Sequence, residues 1–538
     1  MSYLTGGKAL NAVNTSQGLG SQLWRALPYA VYLWFLVLAF PVTPDDGFIT
    51  LRFAANLLSG AGPVFNPGER VEGYSSPLHL LVSTLLLGVF GANWVAIAAK
   101  SVGIALGGWI LHEAKSLGIR VGLSEREGVF AQLLLALNFN FAISTVNVLE
   151  TPYHAALLLL LASTVVREDD TRRGVASSLL VFAAGISRPE AVLLFPIFFL
   201  FRAHACIRGT LTRRSLLIWS AGFVIPFAAF LTWRWFYYGA LVPNTYFAKA
   251  YSWRSAIIDG IRYLLRPLSA RTSSVDWSYR ALRTLTPYFF WLPALAGAWL
   301  MRGKRAVVAL GLVVSLQVVF CLKAGGDWME GWRFMIVVAP LLAILQAFGV
   351  RFLSELAVRL VSGARALPLA QVVGGAQLLV LFFWVVAFTF VPRRASWPAL
   401  AFTTDAGALL AATGGVDGVE RAWGTQQLIA SKLVRDRLAP GSTFAYSEIG
   451  YAGFQNMDKR IVDMRGLTDR EIARVKVFKS SVGVSDPEWY DPAGPVGSIL
   501  KRRHMDAIVS FDDVPVALGT YTRVISTGGV QLYEPTGQ

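Results

Sequence analysis

Trp24-Arg-Ala-Leu-Pro-Tyr-Ala-Val-Tyr-Leu-Trp-Phe-Leu-Val-Leu-Ala-Phe-Pro-Val42 runs directly into Thr43-Pro-Asp-Asp-Gly-Phe-Ile-Thr-Leu-Arg52. The first stretch is apolar over about the 20 residues that a membrane-spanning helix needs. The second places two adjacent carboxylates, Asp45 and Asp46, where that helix leaves the bilayer. Charge at such a boundary is costly, so each carboxylate needs a partner or a task. Pro44 followed by Asp45 fits a helix start with a capping side chain. Two like charges side by side are an unusual way to build only a cap. Their repulsion, with partial burial, raises a carboxylate pKa toward the range of a general base.

The apolar pattern recurs along most of the chain. Of 538 residues, 54% are hydrophobic and 15% charged, against about 25% charged in soluble domains, and the mean hydropathy is +0.51. This composition is that of a polytopic membrane protein. Further apolar runs lie near 95–112, 127–146, 152–166, 174–187, 189–202, 215–236, 285–301, 306–322, 333–350 and 369–391. Basic clusters at Lys115/Arg120/Arg126, Arg167/Arg172/Arg173, Arg202/Arg208/Arg213/Arg214, Arg302/Lys304/Arg305 and Arg351/Arg359/Arg365 mark cytoplasmic loops. They fall on one side only if the apolar stretch 77–92 does not cross. That parity predicts about eleven spans, an N-terminus inside the cell membrane, and a helix from His79 to Gly91 lying at the outer interface. The net charge of +16 is then a topology signal and not the footprint of a nucleic-acid partner. Cys206 and Cys321, the two cysteines, exclude a disulfide scaffold, and no His/Asp/Glu spacing suggests a metal site.

After Val391 the composition turns polar. Short β-type runs at Ser442–Tyr446, Arg460–Asp463 and Asp506–Ser510 alternate with a helical pattern over Thr425–Arg437, which predicts a small α/β domain over 392–538 outside the membrane, following a membrane domain over 1–391.

The chemistry-bearing side chains gather in the predicted outer loops. The Gly- and Pro-rich segment 60–77 carries Glu69, Arg70, Glu72 and Tyr74, side chains that hydrogen-bond sugar hydroxyls or sit solvated in a turn. Glu150, in Val148-Leu-Glu-Thr-Pro-Tyr-His154, caps the helix beginning at Pro152 or holds a substrate. Arg188, in Ser187-Arg-Pro-Glu190, either snorkels to headgroups or binds an anionic phosphate. In Gly325-Gly-Asp-Trp-Met-Glu-Gly-Trp-Arg-Phe334 the tryptophans Trp328 and Trp332 suit an aromatic belt, and Asp327, Glu330 and Arg333 exceed that need. Lys249 is a further phosphate partner.

These segments together resemble the GT-C fold glycosyltransferases that use polyprenyl-phosphate sugars, most closely the mycobacterial family that adds terminal β-1,2-linked arabinofuranose to arabinan. The resemblance rests on Asp45-Asp-Gly-Phe-Ile-Thr-Leu-Arg52, Gly62-Pro-Val-Phe-Asn-Pro-Gly-Glu-Arg-Val-Glu72, Tyr237-Tyr-Gly-Ala-Leu-Val-Pro243 and Gly325-Gly-Asp-Trp-Met329, with Leu149-Glu-Thr-Pro152, Ser187-Arg-Pro-Glu190 and Arg460-Ile-Val-Asp-Met-Arg-Gly-Leu467 matching more loosely. It implies transfer of D-arabinofuranose from a polyprenyl monophosphate to a cell-envelope glycan, with no cofactor required and a divalent metal left open. Asp45 would be the catalytic carboxylate, with Asp46 beside it. Arg188, Arg333 and Lys249 would hold the donor phosphate. Arg52, Glu69, Glu72, Tyr74, Glu150, Asp327 and Trp328 would contact substrate. If the product keeps the donor configuration, a carboxylate acting as nucleophile is the alternative to a base. The soluble domain is expected to contact the acceptor and not to take part in the chemistry. The rival readings are a lipid-linked-sugar transporter, which calls for ionisable groups near the bilayer midplane, and a silent assembly factor.

Overall fold

The computed structural model describes residues 7–40, 43–167, 174–249, 253–265, 291–300, 305–361 apart from 328, 330 and 331, 372, 374–379, 423–475, 494–511, 521–527 and 530–536. The apolar run 369–391 lies mostly outside these residues, and so does the predicted domain boundary at 391/392.

Helix α1 (Gly7–Ala39) hands over through Thr43–Asp45 to α2 (Asp46–Leu58), so the acidic pair stands at the turn between them. The next helix, α3 (Pro77–Val121), is capped by the Ser76 side chain, which accepts from the His79 amide, and is broken at Gly91 (φ 71°, ψ 172°). This positive-φ glycine separates 77–90 from 92–121, as the sequence reading required. The first part exposes Leu81, Leu85 and Val89, one per helical turn, while His79, Leu80, Ser83 and Leu86 face inward.

The apolar run 127–146 is not one straight helix. α4 (Glu125–Ala136) and α5 (Phe139–Val146) meet at 65°, because Asn138 turns its side chain to the Asn140 amide and starts a new helix. Then follow α6 (Thr151–Arg167), α7 (Gly174–Ser187), a 3₁₀ turn (Pro189–Leu193), α8 (Leu194–Ile207), α9 (Arg213–Tyr238), α10 (Asn244–Ala248), α11 (Trp253–Leu264), α12 (Trp291–Leu300), α13 (Arg305–Ala324), α14 (Arg333–Ile336) and α15 (Ala339–Val361). Among the described residues five helices are long and apolar enough to cross a membrane, and the bent α4–α5 pair would make a sixth. The protein is a multi-pass membrane protein. A large apolar core of Tyr32, Phe130, Phe141, Leu161, Trp219 and Phe348 binds the bundle.

The C-terminal part opens with α16 (Trp423–Arg437) and builds a five-stranded sheet. Its strands are β1 (Thr443–Tyr446), β2 (Arg460–Asp463), β3 (Ala507–Phe511), β4 (Tyr521–Thr527) and β5 (Val530–Pro535) in the order β2-β1-β3-β5-β4. β1 pairs in parallel with β2 and β3, and β5 runs antiparallel to β3 and β4. Between the strands lie α17 (Ile449–Gln455), α18 (Arg470–Arg474) and α19 (Pro495–Arg503). The sheet unit does not stand apart. Phe48, Phe53, Phe65 and Tyr74 from the first loop share one buried cluster with Phe444, Ala452, Val509 and Leu532, so burial of apolar surface docks the sheet on α2.

Candidate active site

Five segments far apart in sequence converge on one charged cluster. Arg333 grips Asp327 with a fork, Nε to Oδ2 at 2.6 Å and Nη2 to Oδ1 at 3.1 Å, and its Nη1 lies 3.7 Å from Asp46 Oδ2. Arg188 donates from Nη1 to Glu150 at 2.7 Å and from Nε to Glu190 at 2.6 Å. The Phe334 ring carries the Arg188 guanidinium 4.9 Å and the Arg333 guanidinium 5.4 Å from its centroid. Lys249, at the end of α10, keeps an exposed side chain. Burial of its surroundings lowers its pKa first, Arg333 and Arg188 lower it further, and Asp46 and Asp327 act against them. Lys249 therefore lies within electrostatic reach of the same cluster. Three cations here meet four carboxylates, Asp46, Glu150, Glu190 and Asp327. The two arginines expected to hold the donor phosphate are thus each already oriented by carboxylates.

The backbone is strained beside this cluster. Among the described residues, Val148 (φ 55°) and Trp332 (φ 54°) are two of three non-glycine residues with positive φ. They immediately precede the segments of Glu150 and Arg333. Such conformations cost about 1–3 kcal/mol each and persist where surrounding structure fixes a functional geometry.

Asp45 points the other way from Asp46. Its Oδ2 accepts the Gly450 amide and its Oδ1 the Tyr451 amide, both at 2.7 Å, in the first turn of α17. Burial, only partly offset by these two amides, pushes its pKa up to about 6. Glu448, ion-paired with Arg465, lies close by. Burial pushes it up to about 8, outweighing Arg465, and Asp45, Asp46 and Asp463 add to the rise. Glu448 and Gly450 were not singled out in the sequence reading. Nothing in their local pattern marks them, because their role depends on a contact more than 400 residues away in the chain.

Other expected substrate contacts are built into joints. Arg52 is wholly buried, and its donors go to Phe65 O, Gly453 O, Asn456 O, Asn66 Oδ1 and Lys459 O. All five guanidinium N–H groups are taken, so its expected place among the substrate ligands is corrected to that of a bolt between the first loop and the sheet unit. Glu72 is buried in an ion pair with Arg234 at 2.9 Å. Tyr74 bonds Tyr238 at 3.0 Å, and Tyr238 donates to Pro63 O at 2.6 Å. Glu72 and Tyr74 thus fix the loop to α9, in place of the expected substrate contact, while Glu72 Oε2 is buried without a hydrogen-bond partner. Glu69, half-buried, accepts from Asn66 and Arg460. Trp328 and Glu330 lie outside the described residues.

Two concavities adjoin the site. An apolar groove of about 980 Å³ is lined by Leu264, Trp291, Leu312, Val318 and Leu345. Trp291 packs against Trp332, next to Arg333. A polar groove of about 500 Å³ runs along the seam with the sheet unit, between Glu69, Arg70 and Tyr237 on one side and Asp469, Arg470 and Glu471 on the other. Among the described residues no group of three or more His, Cys, Asp or Glu side chains could hold a metal ion.

Comparison with known proteins is consistent with this geometry. A family model described as a domain of unknown function (DUF8728) matches residues 420–534, the sheet unit. Over 333 residues the chain is 31% identical to the terminal β-(1→2)-arabinofuranosyltransferase of Mycobacterium tuberculosis, covering 57% of this chain and 52% of that one. Over 344 residues it is 28% identical to the Corynebacterium glutamicum enzyme of the same name, covering 56% and 46%. The chain spans about half the length of these curated relatives. Crystal structures of ArnT from Cupriavidus metallidurans, bound to undecaprenyl phosphate and in the apo state, superpose with TM-scores of 0.50 and 0.51 at 14% identity, over 96% of this chain and 98% of theirs. In sequence the chain is thus similar, over somewhat more than half its length, to the terminal β-(1→2)-arabinofuranosyltransferases, and in architecture it shares the fold of ArnT.

Proposed function

We propose that the protein is a membrane glycosyltransferase that moves a sugar, D-arabinofuranose, from a polyprenyl monophosphate to a glycan hydroxyl on the extracytoplasmic face of the cell membrane. The observation that carries this reading is the gathering of Arg188, Lys249 and Arg333 around Asp46 and Glu150, with Asp45 adjoining Asp46 in the chain and an apolar groove lined by Trp291. In this reading the prenyl chain lies in the groove lined by Trp291 and Leu345. The bond from the sugar's anomeric carbon to the phosphate oxygen breaks, the electron pair leaves with the lipid phosphate, and the three cations stabilise that growing charge. The longest pair, Arg333 with Asp46 at 3.7 Å, is the one a phosphate displaces most cheaply.

The acceptor oxygen forms the new bond to the anomeric carbon and gives its proton to Asp45. A carboxylate raised to about 6 is ionised at neutral pH and still basic enough to help. The seam groove accepts the glycan. Its lining balances Arg70, Arg470 and Arg503 against Glu69, Asp469 and Glu471, and a neutral polyol needs both donors and acceptors.

Incubating the purified protein with labelled polyprenyl-phosphoryl arabinose and a short arabinan tests this directly. The expected result is labelled, extended arabinan and free polyprenyl phosphate. Translocation of intact donor across a vesicle membrane without product would instead support transport.

A further inference from the structure

We propose that the sheet unit is part of the catalytic centre: the backbone amides of Gly450 and Tyr451 position the catalytic carboxylate Asp45, and Glu448 with Arg465 forms the wall behind it. The inference rests on the glycosyltransferase reading for its chemistry, and on geometry alone for the contact. It replaces the expectation that this unit only meets the acceptor.

The contact is specific in three respects. Both carboxylate oxygens are engaged, each by a different amide at 2.7 Å, so the plane of the carboxyl group is fixed as well as its position. Each oxygen has a second lone pair, which leaves one free for an incoming hydroxyl. Residue 450 must be glycine, because a Cβ there would overlap the Asp45 carbonyl oxygen and lie 2.7 Å from its Oδ2. The segment is also held from both ends. Phe48, two residues after Asp46, packs edge-on against Tyr451 at 5.0 Å between ring centroids. Arg52, one turn further, binds the carbonyls of Gly453, Asn456 and Lys459. α2 and α17 therefore move as one body, and any shift of the sheet unit carries Asp45 with it.

The charged groups facing Asp45 are Asp46 on its own element, Arg465 and Glu448 from the sheet unit, and Asp463 behind them. Arg465 favours the ionised carboxylate and Asp46 opposes it. Gly450 and Arg465 are thus positioning residues. They touch Asp45 or act on its charge and do not touch the reacting atoms.

Two measurements on the full-length protein test this. Hydrogen–deuterium exchange of the peptide spanning 449–455 should accelerate at least about tenfold in Asp45→Ala, because the two amides lose their acceptor. Unchanged exchange overturns the contact, whatever the enzyme does. Gly450→Ala should lower kcat at least about tenfold with donor affinity unchanged, and Arg465→Gln should move the acidic limb of the kcat/KM profile to higher pH. Wild-type kcat in Gly450→Ala together with an unmoved limb in Arg465→Gln overturns the positioning role. If the exchange result holds while wild-type protein transfers no sugar, the contact stands and the glycosyltransferase reading fails.

Discussion

The Nη1 of Arg188 lies 2.7 Å from Oε1 of Glu150, and both side chains are buried. The pair joins the loop before α6 to the loop after α7, and Glu190 completes it from the other side. Removing one member of a buried pair leaves an uncompensated charge and costs about 3–5 kcal/mol, so Arg188 is a structural group as well as the proposed phosphate ligand. Arg188→Ala should lower the melting temperature and weaken lipid-phosphate binding. Arg333→Ala should weaken the same binding, by about 1.5–3 kcal/mol or roughly ten- to a hundredfold. Titrating polyprenyl phosphate into detergent-solubilised variants checks this, and unchanged affinity in both would move the phosphate to Lys249.

Asp45→Asn keeps the size of the side chain and, through its one carbonyl oxygen, one of the two amide contacts; the NH2 in place of the other oxygen cannot accept the second amide, and the side chain cannot take a proton usefully. Turnover should fall by at least about 10²-fold with donor binding nearly intact. Asp46→Asn should do less harm, because Asp46 faces Arg333 and serves to orient it. Single-turnover assays of both variants decide the order. A dead Asp46→Asn beside an active Asp45→Asn would reverse the assignment.

The pH dependence has two opposing parts. Burial places Asp45 near 6, Asp463 near 6 and Glu448 near 8, all above their ordinary carboxylate values. A carboxylate whose folded pKa is raised lends stability that is fully present below its unfolded pKa and is lost as pH rises through the folded value. Docking of the sheet unit should therefore weaken between about pH 5 and about pH 8. Activity, which needs ionised Asp45, should rise through about 6. Melting curves across this range test the first part. Glu448→Gln, which has no proton to lose, should flatten the upper half of the slope.

The multi-pass helical character was legible in the sequence because apolar runs report it residue by residue, whereas among the described residues five or six helices are long and apolar enough to cross a membrane, against the eleven expected. The break at Gly91 confirms that 77–90 is a helix of its own, and three strands and α16 fall where the alternating patterns put them. The bend between α4 and α5 was missed, since Asn138 interrupts a run whose hydropathy does not change. β4 and β5 were missed too, because β4 is exposed along most of its length and the first four residues of β5 are all buried, so neither alternates. At the site, charge in otherwise apolar surroundings picked out Asp46, Glu150, Arg188, Lys249, Asp327 and Arg333, which do converge. The same rule picked out Arg52, Glu72 and Tyr74, which are joints. A buried charge calls for a partner, and the sequence does not say whether that partner is a substrate or a carbonyl 400 residues away.

Arg70→Ala and Glu471→Gln change exposed groups of the seam groove, so neither should alter stability by more than about 0.5 kcal/mol. If the groove holds the acceptor, KM for a long arabinan should rise several-fold in the double variant while kcat for a minimal acceptor stays at the wild-type level. Unchanged KM for the long acceptor would place the glycan elsewhere.

Arg52→Met tests the joint between the two parts of the molecule. Methionine fills a similar volume but supplies none of the five N–H donors; Phe65 O keeps the Asn56 amide and Asn456 O the Lys459 backbone N–H, so the loss falls on the carbonyls of Gly453 and Lys459. Buried acceptors left without donors cost about 1–3 kcal/mol each when no water reaches them. The sheet unit should therefore detach first, before the helices melt, since the bundle has its own core around Tyr32, Phe141 and Phe348. Limited proteolysis should release a C-terminal fragment from Arg52→Met under conditions where the wild type stays intact. Far-ultraviolet circular dichroism should retain most of its helical signal at that point. Sugar transfer should fail together with detachment, because Asp45 loses the Gly450 and Tyr451 amides in the same event. A variant that melts in one step at the wild-type temperature would show that the shared apolar cluster holds the sheet unit without the Arg52 bolt.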